Sequence, residues 1–245
     1  MAHPPAKIRL HVRDPLGLDA EVALARDQAH YLATVMRREA GESVRLFNGR
    51  DGEWLAEIVE AGRKGVRVRC VEVLATQTEP PDLWLLFAPI KKARTDFIAE
   101  KACEMGCRRL IPVFTRFTNA ERVNRARLEA HAIEAAEQCG LLSVPEVEEP
   151  VSLERLLADW PSERRLLFCD ESGAGVPAVS ALTTAGAGPW AVLIGPEGGF
   201  APEERTRLSA LNAAVAVSLG PRILRADTAA VAALTLFQAT LGDWR

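Results

Sequence analysis

Two segments near the C-terminus repeat one design, and they restrict the fold more than any other part of the chain. Trp190-Ala191-Val192-Leu193 runs into Ile194-Gly195-Pro196-Glu197-Gly198-Gly199-Phe200. Ala213 to Val217 then runs into Leu219-Gly220-Pro221-Arg222-Ile223-Leu224-Arg225. Each apolar run reads as a strand, each is followed by a glycine-bearing loop, and helix-like segments open at Pro202 and Asp227. In an open α/β sheet, loops at the carboxyl ends of strands are where ligands bind. Gly195, Gly198 and Gly199 let the backbone approach a ligand closely and permit positive φ. A single loop of this kind is an ordinary strand-to-helix turn. Two in succession, one beside a Glu197 expected to be buried and the other framed by Arg222 and Arg225, point to a site. Neither loop carries G-x-G-x-x-G after a strand or G-x-x-x-x-G-K-[ST], so a dinucleotide or P-loop site is not supported.

Upstream, the pattern divides at Thr76 to Asp82, an aperiodic stretch with two prolines, which predicts a domain over 1–78 and another over 79–245. In the first, Val44 to Phe47, Trp54 to Val59 and Val66 to Val73 read as short strands joined by turns at Asn48 to Gly52 and Gly62 to Gly65. Such strands suggest a small antiparallel barrel. Asp27 to Arg38 reads as a helix capped by Asp27, with Leu32, Val35 and Met36 on one face. Arg37 and Arg38 at its end suit either the helix dipole or an RNA contact. In the second domain, strands at Leu83 to Ala88, Arg109 to Phe114 and Leu166 to Cys169 alternate with helices from about Thr95 to Gly106 and from Arg125 to Cys139. This alternation argues for a mainly parallel sheet covered on both faces. Gly173 to Gly188, rich in Gly, Ala and Ser, reads as a surface connection. The final helix spans Asp227 to Leu241, and Ala229, Ala230, Ala232 and Ala233 leave a smooth surface for another helix, within the subunit or across a dimer.

Composition excludes several classes. With 48% hydrophobic residues the chain can bury a sizeable core. Its five cysteines are scattered without a C-x-x-C pair, so neither a disulfide framework nor a zinc site is suggested, and free thiols in a reducing cytosol are expected. No run approaches a membrane span or a secretion signal, which predicts a soluble cytoplasmic protein. The net charge of −3 is unevenly placed: residues 131–245 carry −7, whereas residues 1–78 and 79–130 carry +1 and +3. A basic face on the first half can still bind phosphate, since counterion release depends on the contact patch.

The residues of the two glycine loops carry a resemblance. IGPEGGF followed by LGPRILRADTAA resembles the cofactor-binding signature of the SPOUT methyltransferases, and the arrangement is most similar to the ribosomal RNA small-subunit methyltransferase E (RsmE) family. Arg26 to Gly41, with Val35 to Arg38 at its basic end, Lys91 to Thr115 and the Glu134 to Gly140 block extend the likeness over nearly the whole chain. The resemblance implies a PUA-like barrel followed by a SPOUT-type α/β domain with a C-terminal trefoil knot, and a homodimer. It also implies methylation of N3 of a uridine in 16S rRNA, on free RNA or in the small ribosomal subunit, with S-adenosylmethionine as cofactor. Cofactor contacts would fall on Leu193, Ile194, Gly195, Pro196, Glu197, Gly198, Gly199, Leu219, Gly220, Arg222, Ile223 and Leu224. The chain departs from its relatives at Leu141 and Ser143, where arginine is usual, and at Asp227, where glutamate is frequent.

Methyl transfer from a sulfonium is an in-line displacement, so alignment and exclusion of water dominate. Uracil N3 must lose its proton. Glu197 or Asp227 is expected to accept it, and Arg225 or Arg222 to stabilise the oxygen that gains charge. No metal is expected. RNA is expected over Arg37, Arg38, Arg63, Lys64, Lys91, Lys92 and Arg94. The competing readings are a SPOUT enzyme acting on a ribose 2′-hydroxyl or on tRNA, and a protein that binds RNA and cofactor without transferring methyl.

Overall fold

The computed structural model describes residues 6–62, 65–170 and 175–244. The chain forms two compact units, one of residues 1–79 with 136–144, the other of residues 80–135 with 145–245. The return to the first unit over 136–144 is absent from the single boundary expected at 78/79.

In the first unit, β1 (Arg9–His11), β2 (Glu21–Ala23), β3 (Ser43–Phe47), β4 (Glu53–Gly62) and β5 (Gly65–Ala75) form one sheet in the order β1-β3-β4-β5-β2. Alternating Val44 and Leu46, and Val66, Val68 and Cys70, bury one face, as the period of two requires. The sheet is mixed rather than antiparallel throughout. β1 runs parallel to β3 because the intervening chain, with β2 and α1 (Arg26–His30), makes a long crossover instead of a hairpin. Arg9 ties residues 136–144 to this unit. Its side chain is 2.5 Å from Glu53 Oε1 and donates to Ala136 O at 2.6 Å and to Leu141 O at 2.8 Å.

The helix expected over Asp27 to Arg38 differs. After α1, residues Tyr31–Val35 form a π-helical turn, and Arg37 ends it in the left-handed region at φ 50°. The wider turn breaks the expected face: Leu32 is buried, while Val35 is 60% exposed. Ala25, not Asp27, is the N-cap, with Gln28 Oε1 accepting from its N–H at 3.3 Å.

The second unit is built on eight parallel strands. In chain order its elements are β6 (Leu83–Phe87), α2 (Lys92–Glu104), β7 (Arg109–Phe114), α3 (Arg125–Cys139, of which residues 136–139 belong to the first unit), β8 (Glu146–Val147), β9 (Val151–Ser152), α4 (Leu153–Ala158) and β10 (Arg165–Cys169). There follow β11 (Val176–Pro177), α5 (Ala178–Ala185), β12 (Trp190–Ile194), α6 (Pro202–Ala210), β13 (Ala214–Ser218) and α7 (Ala226–Thr240). The spatial order is β11-β13-β10-β12-β6-β7-β8, with β9 also on β7. Successive residues of β12 point to opposite faces. Val192 and Ile194 enter a core with α2, α5 and α7, whereas Ala191 and Leu193 enter a core with Leu153 of α4 and Leu208 of α6. Burial on both faces explains why β6 and β12 are almost uninterrupted apolar runs.

α2 starts after Lys91, ahead of Thr95 and Asp96, which are buried within it because each has an earlier or distant partner. Thr95 Oγ1 accepts from Ile90 N at 3.0 Å, and Asp96 pairs with Arg127. The stretch Gly173 to Gly188 is not merely a surface connection: it holds β11 and α5, whose Ala178, Ala181 and Leu182 are buried. Small side chains let α5 pack against α7, so a composition that reads as loop serves close helix contact. Ala229, Ala230 and Ala233 are likewise buried within this unit.

Candidate functional site

The carboxyl ends of β10, β12 and β13 are adjacent in the sheet, and a cleft of about 410 Å³ opens between the loops that follow them. Its position, where strand order departs from chain order, is the usual place for a ligand in such a sheet. Of the residues expected to contact cofactor, Ile194, Gly195, Pro196, Glu197, Leu219, Gly220, Arg222, Ile223 and Leu224 line this cleft. Leu193, Gly198 and Gly199 do not. Leu193 is fully buried in β12. Gly199 N donates to Pro196 O at 2.9 Å and closes the first loop at φ 69°.

The three clustered glycines serve different needs. Only Gly199 requires a positive φ. At Gly195 a Cβ would lie 3.0 Å from Phe200 Cζ, and at Gly198 it would lie 3.3 Å from Phe117 Cβ, so these two make room for aromatic rings. In the second loop Gly220 has φ 114° and accepts a turn closed by its own N–H on Ser218 Oγ at 3.2 Å.

Cys169, Asp170, Val217 and Ser218 also line the cleft, as do Pro221, Ala226 and Ala229. Asp170 was legible in principle as a carboxylate at the end of a buried strand, but only the placement of β10 between β12 and β13 reveals its relevance. Burial pushes the Cys169 thiol up to about 12, so it stays protonated near neutral pH and is a poor nucleophile.

Arg94 joins the candidate bases. Its Nη1 is 3.3 Å from Glu197 Oε1 and its Nε 3.7 Å from Asp227 Oδ2. Glu197 is not buried as expected: its side chain is 49% exposed, because the loop turns it outward over the cleft edge. Asp227 lies in the first turn of α7, where the helix dipole favours a carboxylate. Arg222 lines the cleft, whereas Arg225, the exposed N-cap residue of α7, stands outside its lining.

Among the other cations, Lys91 is the exposed N-cap residue of α2 and Lys92 opens that helix. In the first unit Arg37 is exposed, and Arg38 pairs with Glu42 at 2.5 Å. Arg63 and Lys64 lie outside the described residues. Leu141, standing where arginine was expected, instead offers its carbonyl to Arg9. Among the described residues no group of three or more His, Cys, Asp or Glu is arranged to hold a metal, and no helix is long and apolar enough to cross a membrane.

Comparison with known proteins agrees with this architecture. The RNA methyltransferase domain family matches residues 77–238 and the RNA methyltransferase PUA domain family matches residues 24–70. A ribosomal RNA small subunit methyltransferase E of Rickettsia conorii is 31% identical over 92% of this chain and 93% of its own. A Legionella pneumophila methyltransferase, solved in complex with S-adenosylmethionine, is 29% identical, with a TM-score of 0.87 over 96% of this chain and 98% of its own. The RsmE of Neisseria gonorrhoeae, 24% identical, shares the fold at a TM-score of 0.87 over 97% of this chain and 99% of its own. With its PUA-like and α/β units, the chain belongs to the ribosomal RNA small subunit methyltransferase E family of RNA methyltransferases.

Proposed function

We propose that the chain methylates N3 of a uridine in 16S rRNA, using S-adenosylmethionine. The observation that carries this reading is the cleft between the two glycine loops, with a carboxylate–arginine–carboxylate cluster at its edge. The cleft has the volume of a small-molecule site. Val217, Leu219 and Leu224 offer apolar walls for a purine, while Asp170 and Glu197 offer carboxylates to hydroxyl, ammonium or sulfonium groups. The residues present therefore fit the cofactor.

When bound, S-adenosylmethionine supplies the electrophilic methyl group. The protein aligns the uracil nitrogen with it and keeps water out. Glu197 or Asp227 takes the N3 proton, and Arg94 holds both carboxylates in place. Arg222 or Arg225 stabilises the uracil oxygen that becomes negative. The first unit, with Arg37, Arg38, Arg63 and Lys64, and the α2 start, with Lys92, contact RNA phosphates.

Two further parts belong to this reading. The C-terminal segment forms a trefoil knot, for which the support is the strand order: after β12 the chain crosses to the far side of β10 before entering α7. The protein acts as a cytoplasmic homodimer. Ile223, 87% exposed on a cleft loop, is a large apolar side chain that a second copy would cover.

The test is transfer of labelled methyl to small ribosomal subunits that lack their normal modifications. Wild type incorporates label, whichever of Arg222→Ala and Arg225→Ala removes the partner of the uracil oxygen loses at least tenfold in rate, and Glu197→Gln loses as much if Glu197 is the base. A wild-type rate for Glu197→Gln would transfer that role to Asp227, and absence of label with wild type would refute the function.

A further inference from the structure

A second cavity, of about 270 Å³, lies against the cofactor cleft. Pro196 and Glu197 line both, so one loop forms the wall between them. The other side is formed in part by Lys91 and Asn119. Neither of these side chains has a hydrogen-bond partner among the described residues, and both are exposed. Polar groups that face a cavity beside a candidate base without partners are free to read a ligand.

Asn119 directly follows a turn that is built to hold position. Thr115 N donates to Thr118 Oγ1 at 2.9 Å, and Thr118 N donates back to Thr115 O at 3.2 Å. Arg116 N donates to Glu204 Oε1 at 2.8 Å, which fastens the turn to α6. The same turn carries Phe117, 44% exposed and lying against Gly198. Glycine at 198 is what admits this ring beside the first glycine loop.

Resting on the uridine-N3 reading above, we propose that this cavity receives the target uracil, with Asn119 and Lys91 reading its edge. The Watson–Crick edge of uracil presents O4, N3–H and O2, an acceptor, a donor and an acceptor. Asn119 Nδ2 donates to one carbonyl and Lys91 Nζ to the other, while Glu197 faces the N3 proton. As that proton passes to the carboxylate, negative charge spreads onto O2 and O4, and the two donors bind it more strongly than they bind neutral uracil. Cytosine carries an amino donor where uracil has O4. It would oppose a donor with a donor, leaving polar groups unpaired and lowering its turnover.

The nucleic acid has a route to this cavity. A larger groove shares Pro89, Ile90 and Ala120 with the uracil cavity and is lined by Lys92 and Arg122. Phosphates flanking the target uridine would meet these cations, as backbone contacts position while base contacts specify.

The experiment compares wild type, Asn119→Ala and Asn119→Asp in 3-methyluridine formation on undermodified small subunits, with S-adenosylmethionine affinity measured by calorimetry. Asn119→Ala is expected to lower kcat/KM about 10- to 100-fold, the loss of one to two decades that an unpaired polar group in a site produces. Asn119→Asp loses more, because a carboxylate repels both uracil oxygens. Cofactor affinity stays within twofold for every variant, which shows that the fold and the first cleft are intact. Wild-type formation of 3-methyluridine with Asn119→Ala within twofold of it would overturn this assignment and leave the proposed function standing. Wild type forming no 3-methyluridine would overturn the function and this assignment together.

Discussion

Replacing Gly195 by alanine tests whether the first glycine loop is shaped by space rather than by backbone freedom. Its φ does not need glycine, since positive values in this loop occur only at Gly199. A Cβ at 195 would stand 3.0 Å from Phe200 Cζ and 3.1 Å from Cε2. Carbon atoms pack at about 3.5–4.0 Å, so the ring must move by roughly 0.5 Å. Phe200 has little room to do so: it is buried with Leu86, Leu193 and Leu208, and meets Phe168 edge-on with centroids 6.3 Å apart. Overpacking of this kind costs about 1–3 kcal/mol. For a unit of this size that lowers Tm by about 2–12 °C. Because Gly195 also lines the cleft, the shift should weaken S-adenosylmethionine binding in the folded protein. Thermal melting and calorimetric titration of wild type, Gly195→Ala, Phe200→Leu and the double variant measure both effects. Phe200→Leu relieves the clash, so the two destabilisations should sum to more than that of the double variant. A Gly195→Ala protein with unchanged Tm and unchanged cofactor affinity would refute the steric account.

Three other outcomes follow from side-chain environments. Cys169, half-buried on the cleft with its thiol pushed up to about 12, should react more slowly with iodoacetamide at pH 8 than exposed Cys139, and mass mapping of the modified peptide checks the order. Glu204 accepts from Ala201 N at 2.9 Å and from Arg116 N at 2.8 Å, so Glu204→Ala should cost about 1–3 kcal/mol in urea unfolding by freeing two charge-assisted bonds. His11 has its pKa lowered chiefly by burial and secondarily by Arg13. The unfolded chain therefore takes up this proton first, so the contribution is intact above the ordinary value of 6.5 and is lost as pH falls through the lower folded value. Urea midpoints of wild type should decline over that interval more steeply than those of His11→Gln, and equal slopes would contradict the burial argument.

The parts of the structure visible in sequence are those in which one physical cause dominates. Trp190 to Leu193 reads as a strand buried on both faces because nothing polar interrupts it, and the loops after β12 and β13 announce themselves through glycine. Helix α3 ends at Gly140, whose φ of 87° is what a left-handed stop demands. Local pattern fails where a distant partner decides. Thr95 and Asp96 look like caps until Ile90 and Arg127 are seen to satisfy them. The π-helical turn at Tyr31–Val35 adds a residue to the period that a 3.6-residue count assumes. At the site, Glu197 and Asp227 are separated in sequence, and the arginine that joins them, Arg94, lies far earlier on α2. Charge alone presents Arg94 as an RNA contact. Only the approach of α2 to the start of α7 reveals that it holds two carboxylates.

We propose that the methyl group reaches a base nitrogen of uridine in 16S rRNA. The most direct measurement reacts wild-type protein with undermodified small subunits and isotope-labelled S-adenosylmethionine, digests the RNA to nucleosides, and fragments the labelled product by mass spectrometry. N3-methylated and ribose-methylated uridine have equal mass, but cleavage of the glycosidic bond separates base from sugar. Label in the base fragment, co-eluting with 3-methyluridine, is the predicted result. Label in the ribose fragment would contradict it.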